Sequence, residues 1–145
     1  MRSEHAPHPR RWLALWLAAC LPLLLAGCAT SGQMDALEKA QYAYSAAIRW
    51  GDFEGAWTLV DPEYREENPM THLEFERYNQ VQVSGYRDMA SQVGEMVAAR
   101  EIEIGLVNRH NMTTRSMRYT ERWRYDPAAK TWWLTSGLPD FWAGE

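Results

Sequence analysis

The fold of this chain is decided by residues 113–125, which read TTRSMRYTERWRY. Successive side chains of a β-strand point to opposite faces of the sheet. Here Tyr119 and Trp123 fall on one face, with Met117 and Tyr125, while Arg118, Arg122 and Arg124 fall on the other. One apolar face and one charged face predict a half-buried strand of an antiparallel sheet.

The neighbouring segments repeat this pattern. Residues 96–107 alternate, with Ile102, Ile104 and Leu106 on one face and Glu101 and Glu103 on the other, so they predict a second strand. We expect a strand over residues 86–93, a loop over 108–111, a turn over 126–130 and a short aromatic strand over 131–136.

The residues before the sheet have helical spacing. Apolar side chains recur at three- and four-residue steps from Met34, and Gly51 follows as a stop signal. Asp52 suits the N-cap of a second helix that Asp61-Pro62 ends or kinks. Capping-box spacing at Thr71 and Glu74 predicts a third helix to about residue 81.

Helices followed by strands predict an α+β fold, with N-terminal helices packed on one face of a curved antiparallel sheet of about four strands. On the apolar faces of their elements, Trp57 and Trp123 are expected in the core. Truncating either to Ala should then cost about 3–5 kcal/mol.

The segment AAIRWGDFEGAW, residues 46–57, resembles the helix–Gly-Asp–helix opening of nuclear transport factor 2-like domains. The closing hairpin, from Trp123 to Leu134, is similar to the last strand pair of that superfamily. The resemblance, also to its SnoaL-like members and to cystatin-like folds, implies a cone with a pocket at its open end. Members include ketosteroid isomerases, polyketide cyclases and dehydratases, and many non-enzymatic binding modules.

The N-terminus carries a second signal. Arg10 and Arg11 precede an apolar run over residues 12–26, which ends in Leu25-Ala26-Gly27-Cys28. A positive start, a short apolar segment and small residues at the cut are typical of a secretory signal peptide. The whole resembles a bacterial lipoprotein signal with its lipobox, which implies cleavage before Cys28 and lipid attachment there. Cys20, in Leu17-Ala18-Ala19-Cys20, fits a looser lipobox.

This interpretation divides the chain into a signal peptide at 1–27, a lipidated tether at 28–33 and one α+β domain at 34–145. Alanine rather than aspartate at position 29 predicts export to the outer membrane of a Gram-negative bacterium, because the signals it resembles use aspartate there for inner-membrane retention. The domain would face the periplasm, held by acyl chains such as palmitate.

Charge and cysteine content limit the function. The 145-residue chain has a net charge of −4, and residues 28–145 carry 12 basic and 18 acidic side chains. That acidic balance argues against nucleic acid as a partner. With Cys20 removed and Cys28 lipidated, no thiol remains as a nucleophile or zinc ligand. His72 and His110 stand alone and should be exposed, so we expect no metal site and no cofactor.

The candidate pocket residues are Asp88, Tyr86, Tyr119 and Trp123. Enzymes of the similar superfamily use a carboxylate base with a tyrosine or acid that binds an oxyanion, and Asp88 with Tyr119 could provide this pair if the sheet brings them together. Glu101 and Glu103 alternate with apolar residues, so we expect them on the solvated face. No family motif matches these positions residue by residue, so no catalytic residue is assigned.

Three functions stay open. The first is a membrane-anchored periplasmic lipoprotein whose domain binds a protein or a small apolar ligand without catalysis. The second is a small isomerase or dehydratase, and the third is a structural envelope lipoprotein. A buried carboxylate facing a tyrosine in a pocket would favour the enzyme, a dry aromatic pocket would favour binding, and a filled domain would favour a surface role.

Overall fold

A computed structural model describes residues 31–143 of the chain. The chain divides into two compact units, Met1–Asp35 and Ala36–Glu145. Of the first unit only residues 31–35 are described, and they are helical. The predicted signal peptide, its lipobox and Cys28 lie outside the described residues. Within residues 31–143, no helix has the length and apolarity needed to cross a membrane.

The first helix, α1, covers residues 31–50. Leu37, Tyr44 and Ile48 form its buried face, at the spacing that places side chains on one side of a helix. The helix ends at Gly51, whose φ of 76° lies in the left-handed region that glycine occupies without steric cost. The backbone N–H of Asp52 then donates to the carbonyl of Ala47 at 2.9 Å.

Three short helices follow: α2 at Phe53–Trp57, α3 at Pro62–Glu67 and α4 at His72–Tyr78. Asp52 and Asp61 cap the first two, and Thr71 forms the predicted capping box with Glu74. Helix α3 was not predicted from the sequence, where Asp61-Pro62 was expected only to end or kink the second helix. Proline fits the first turn of a helix, where its missing N–H costs nothing.

Four strands form one antiparallel sheet in the order β1-β2-β3-β4: β1 at Val81–Val93, β2 at Val97–Asn108, β3 at Thr114–Asp126 and β4 at Thr131–Leu134. The predicted fold class, α+β with N-terminal helices before a four-stranded antiparallel sheet, is therefore confirmed.

The first strand begins earlier than predicted, and α4 ends earlier. Val81, expected at the end of the third helix, pairs with Asn108 at the start of β1. Ser84-Gly85, just before the predicted strand at residues 86–93, lies inside the observed strand at a register shift between Val83 and Gly85. A bulge absorbs one extra residue while the strand continues, which is why the turn-like pair did not end it.

The inner face of the sheet, defined as the face on which Trp123 packs against α1, carries the core. Its buried side chains include Ile102, Ile104 and Leu106 of β2 and Trp132 and Leu134 of β4. The ring of Tyr44 in α1 meets the Trp123 ring edge-on at 5.8 Å. The predicted core position of Trp123, 1% exposed, is confirmed.

The last described residues, 137–143, pack back onto the helices. Phe141 is fully buried, and its ring lies 5.7 Å from that of Phe53 and 5.2 Å from that of Tyr78. The Tyr78 hydroxyl donates to the carbonyl of Pro139 at 3.1 Å. This C-terminal segment therefore completes the core beside α2 and α4, a role its sequence did not reveal.

Candidate functional site: a buried network and an aromatic pocket

A buried network of four side chains, Glu121, Arg100, Tyr86 and Trp123, occupies the inner face of the sheet. Arg100 of β2 lies directly opposite Glu121 of β3. The Glu121 carboxylate is 0% exposed. It accepts hydrogen bonds from Arg100 at 2.8 and 3.0 Å, from the Trp123 indole at 2.8 Å and from the Tyr86 hydroxyl.

The network leads outward through Arg100 to Asp88. The Arg100 side chain is 13% exposed, and its Nη1 lies 3.6 Å from a carboxylate oxygen of Asp88, whose side chain is 46% exposed. A buried carboxylate is tolerated when charged and polar donors compensate for its lost hydration. Glu121 has such donors at both oxygens, so it acts as a saturated acceptor.

A second set of hydrogen bonds joins Tyr119 to α1 and to the segment after β4. The Tyr119 hydroxyl lies 3.2 Å from that of Tyr44 and 3.0 Å from that of Ser136, and it donates to the carbonyl of Gly137 at 2.5 Å. Burial is the main cause that raises the pKa of Tyr44, Tyr86 and Tyr119 above the ordinary value. These phenols therefore stay protonated and serve as donors inside the domain.

The four predicted pocket residues do not line one cavity. Tyr86 and Trp123 meet at Glu121, whereas Tyr119 bonds to Tyr44 and Asp88 pairs with Arg100. Asp88 and Tyr119 both pair with Ile102, from opposite sides. Two strand spacings, about 10 Å, therefore separate their backbones.

The carboxylate that meets a tyrosine is Glu121, which was not among the residues predicted for the site. The sequence did contain a sign of it. Glu121 is an acidic residue at an odd-numbered position of β3, between Tyr119 and Trp123, on the face that otherwise carries apolar side chains. In β2, Arg100 is likewise a charged residue on the face that otherwise carries apolar side chains. Glu101 is exposed as expected, and Glu103 carries 31% side-chain exposure and pairs with Arg87 rather than with the arginines of β3. Both histidines are exposed, as predicted.

An open pocket of about 420 Å³ lies between the short helices and the C-terminal segment. We call it the aromatic pocket and define it by four rings: Trp57 of α2, Tyr64 of α3, Tyr78 of α4 and Trp142. The other lining residues are Asn68, Pro69, Met70, Glu74, Arg77, Leu138 and Asp140. None of these four aromatics was predicted as a pocket residue.

The rings stand in two edge-to-face pairs. Trp57 and Tyr64 have centroids 6.2 Å apart, and Tyr78 and Trp142 have centroids 5.0 Å apart. Trp57 is half-buried, so its predicted place in the core is wrong. Helix α2 has only about one and a half turns. The Trp57 ring contacts the rings of Tyr64 and Phe75 rather than the core of the domain.

Two carboxylates and one guanidinium complete the lining. Glu74 accepts hydrogen bonds from the Thr71 backbone and hydroxyl, and these lower its pKa. Asp140 accepts from the Trp142 backbone N–H at 3.0 Å. The Arg77 guanidinium lies 3.9 Å above the Trp142 ring, within the range of a cation–π contact.

An apolar groove of about 560 Å³ lies near the β1–β2 turn. Val93, Val97, Ala98 and Trp123 are among its lining residues. Within residues 31–143, no group of three or more His, Cys, Asp or Glu side chains is arranged to hold a metal ion.

Known proteins resemble this chain in fold but not in sequence. No family model matches the chain, and no curated protein matches it. A SEC-C motif containing protein from Rhodopseudomonas palustris is similar with a TM-score of 0.55 and 19% identity, over 83% of this chain and 88% of its own. Another SEC-C motif containing protein, from Psychrobacter arcticus, is similar with a TM-score of 0.54 and 10% identity, over 70% of this chain and 59% of its own.

A protein of the NTF2-like family from Streptomyces avermitilis also appears among the structural neighbours. Its TM-score is 0.47 and its identity 14%, over 72% of this chain and 93% of its own. The likeness to the two SEC-C motif containing proteins shows a shared fold. The chain thus has an α+β fold, helices before a four-stranded antiparallel sheet, that recurs in proteins of low sequence identity.

Proposed function

We propose that this protein is a lipid-anchored periplasmic lipoprotein whose domain binds a small ligand in the aromatic pocket without catalysing a reaction. The observation that carries this proposal is a contrast between two sites. The Glu121 carboxylate and the Tyr86 phenol of the buried network bond to each other, while the aromatic pocket is open and lined from four separate segments.

The state of the polar groups supports a non-catalytic role. A general base must come within hydrogen-bond reach of a substrate proton. Glu121 is 0% exposed, and four donor groups already occupy its oxygens. The hydroxyls of Tyr86 and Tyr119 donate to Glu121 and Gly137 respectively. A substrate would have to displace these bonds before either phenol could serve it.

The composition of the aromatic pocket supports ligand binding. Ligand pockets of proteins usually combine aromatic walls with a few polar groups that fix orientation, in volumes of about 300–1,000 Å³. Here Trp57, Tyr64, Tyr78 and Trp142 supply the walls, and the volume is about 420 Å³. The rings come from α2, α3, α4 and the C-terminal segment, so the fold of the whole domain holds the pocket.

We test binding by NMR on the full chain in dodecyl maltoside micelles, following the indole N–H signals of Trp57 and Trp142 against a small-fragment collection. Fragments that shift these two signals, and that no longer shift the Trp57 signal in Trp142→Leu, support the binding function. Fragments that act only on the Trp123 signal would contradict it, since they would place the ligand at the buried network or in the apolar groove that Trp123 also lines.

The proposed membrane anchor rests on Leu25-Ala26-Gly27-Cys28. Several acyl chains on one residue hold a protein durably, at about 0.8 kcal/mol for each buried CH₂. Cys28→Ser should abolish acyl labelling and leave an unprocessed precursor, whereas Cys20→Ser should leave labelling intact. Labelling that survives in Cys28→Ser but not in Cys20→Ser would move the anchor to Cys20.

The proposed outer-membrane location rests on Ala29. On a density gradient, the wild-type protein should separate with the outer membrane, and Ala29→Asp should shift it to the inner membrane. Recovery of the wild-type protein with the inner membrane alone would contradict this location. Even distribution between outer membrane and cell wall, without ligand binding, would instead favour a structural envelope role.

A second candidate function is an isomerase or dehydratase, and the contact between Tyr86 and Glu121 favours it. A carboxylate beside a phenol is the pair that such enzymes of the similar superfamily use. The test is turnover of an enolisable ketone, with loss in Glu121→Gln. Turnover that disappears in this variant while the fold persists would establish the enzyme over the binding module.

A further inference from the structure

We propose that the ligand of the aromatic pocket is an organic cation, of the quaternary or alkylated ammonium class. This inference rests on the binding function proposed above and adds the chemistry of the ligand. Three properties of the pocket point to it: the four aromatic rings in its lining, the sign of its charges and the position of its lining arginine.

The rings provide surfaces that attract cations. The face of an aromatic ring carries negative potential, so a cation within about 6 Å of a ring centroid is stabilised, most strongly by tryptophan. The pairs Trp57 with Tyr64 and Tyr78 with Trp142 stand edge-to-face, with centroids 6.2 and 5.0 Å apart. These two tryptophans and two tyrosines line a space of about 420 Å³.

Arg77 shows that one of these rings, that of Trp142, already holds a cation. Its guanidinium carbon lies 3.9 Å from the centroid of Trp142. The contact occupies one tryptophan of the pocket. Trp57, on the other side, packs against Tyr64 and Phe75, which are aromatic rings and carry no charge.

The charges of the lining favour a cation over an anion. Glu74 and Asp140 contribute two negative charges, and Arg77 contributes one positive charge. The hydrogen bonds from Thr71 lower the pKa of Glu74, so this carboxylate is ionised at neutral pH. Both of those bonds reach Oε2, and the bond from Trp142 reaches Oδ1 of Asp140. The remaining oxygens can face a bound cation.

The chemistry distinguishes this ligand from a purely apolar one. A neutral molecule of the same shape would bury the same apolar surface but would gain nothing from the ring faces or from the two carboxylates. The difference in affinity between a cation and its neutral isostere therefore measures the proposal directly. Choline and 3,3-dimethylbutan-1-ol form such a pair, since a carbon replaces the charged nitrogen.

The experiment titrates both compounds into the full chain in dodecyl maltoside, a detergent without a cationic head, and follows the indole signals of Trp57 and Trp142. Choline should bind about tenfold more tightly than its neutral isostere, a typical gain for a partly desolvated cation–π site. Glu74→Gln should weaken choline binding severalfold and leave the isostere unchanged. Glu66→Gln, an exposed position on α3 outside the pocket, is the matched control.

Trp57→Leu provides the second variant, and its melting temperature shows whether it folds. It should lose most of the choline preference even if the isostere still binds. Equal affinity for choline and its isostere would overturn the cation proposal but leave the binding function standing. No response to either compound, with other fragments still shifting Trp57 and Trp142, would do the same. Fragment binding that is absent from the pocket altogether would overturn the binding function itself.

Discussion

Arg100 and Glu121 lie directly opposite each other on neighbouring strands, and the guanidinium donates to both carboxylate oxygens at 2.8 Å. The pair lies on the inner face of the sheet, where its neighbours along the strands are the buried residues Ala98, Ile102 and Trp123. An ion pair in such a place requires complete compensation of both charges, and the indole of Trp123 contributes to it. The pair is compatible with this register of β2 against β3, since a slip of one residue would turn one partner to the other face of the sheet.

The buried pair gives the first prediction. Removing one partner leaves an uncompensated buried charge, which typically costs 3–5 kcal/mol. Arg100→Met should therefore lower the free energy of unfolding by about that amount in urea denaturation. Arg87→Met is the control, because Arg87 is 68% exposed in its pair with Glu103 and exposed pairs contribute about 0–1 kcal/mol. Equal losses in the two variants would show that the Glu121 pair is not energetically buried.

Part of this site could be predicted from the sequence, and part could not. Alternation in residues 113–125 correctly places Tyr119 and Trp123 on the inner face. The same alternation places Glu121 there, but a carboxylate on an apolar face has no evident partner until β2 is paired. The partner is Arg100, 21 residues away, and only the register of the sheet brings the two together.

The two tryptophans give the second prediction. Trp123→Ala should cost about 3–5 kcal/mol, the usual range for a buried aromatic, and the lost hydrogen bond to Glu121 adds to it. Trp57→Ala should cost less, about 1–2 kcal/mol, since the Trp57 side chain is only partly removed from water. Denaturant melts of both variants test this. A loss at Trp57 as large as that at Trp123 would restore Trp57 to the core.

The error at Trp57 has a physical cause that sequence periodicity cannot show. Spacing along a long helix predicts its buried face well, as Leu37, Tyr44 and Ile48 of α1 demonstrate. A helix of 5 residues such as α2 has too few turns to define a face. Neighbouring short helices then decide where each ring lies, and they place Trp57 at the wall of the aromatic pocket.

The buried phenols give the third prediction, a loss of stability at alkaline pH. Burial raises the pKa of Tyr44, Tyr78, Tyr86 and Tyr119 above 10.0. Below pH 10 these phenols are protonated in both the folded and the unfolded chain, so their contribution is intact. As the pH rises above 10, the unfolded chain loses protons that the folded chain keeps. Stability then falls by about 1.4 kcal/mol per pH unit for each phenol.

Urea denaturation between pH 8 and 11.5 measures this slope. Tyr119→Phe should reduce it by the share of one phenol, and Tyr42→Phe, at a position 76% exposed, is the control. Absorbance of tyrosinate at 295 nm gives an independent check, because the four buried phenols should ionise only when the domain unfolds. A stability that stays flat up to pH 11.5 would contradict the prediction.

The fourth prediction concerns two glycines with positive φ. It separates the backbone strain of an alanine in the left-handed region from the steric clash of its added Cβ. Gly51 has a φ of 76° with open space at its Cβ position, where the nearest atom is 3.9 Å away. Gly137 has a φ of 69°, and a Cβ there would lie 2.6 Å from the Tyr64 hydroxyl and 2.9 Å from two carbons of the ring. Gly51→Ala should cost about 1–2 kcal/mol, the strain of the left-handed region alone.

Gly137→Ala should cost more than Gly51→Ala, because Tyr64 must also move. The carbonyl of Gly137 accepts hydrogen bonds from Tyr44 and Tyr119, so its backbone cannot shift freely to relieve the clash. Displacement of Tyr64 would in turn change one wall of the aromatic pocket. Gly137→Ala should therefore weaken ligand binding as well as stability, whereas Gly51→Ala should affect stability alone. Unchanged binding in Gly137→Ala, measured on the folded fraction, would show that Tyr64 does not form the pocket wall.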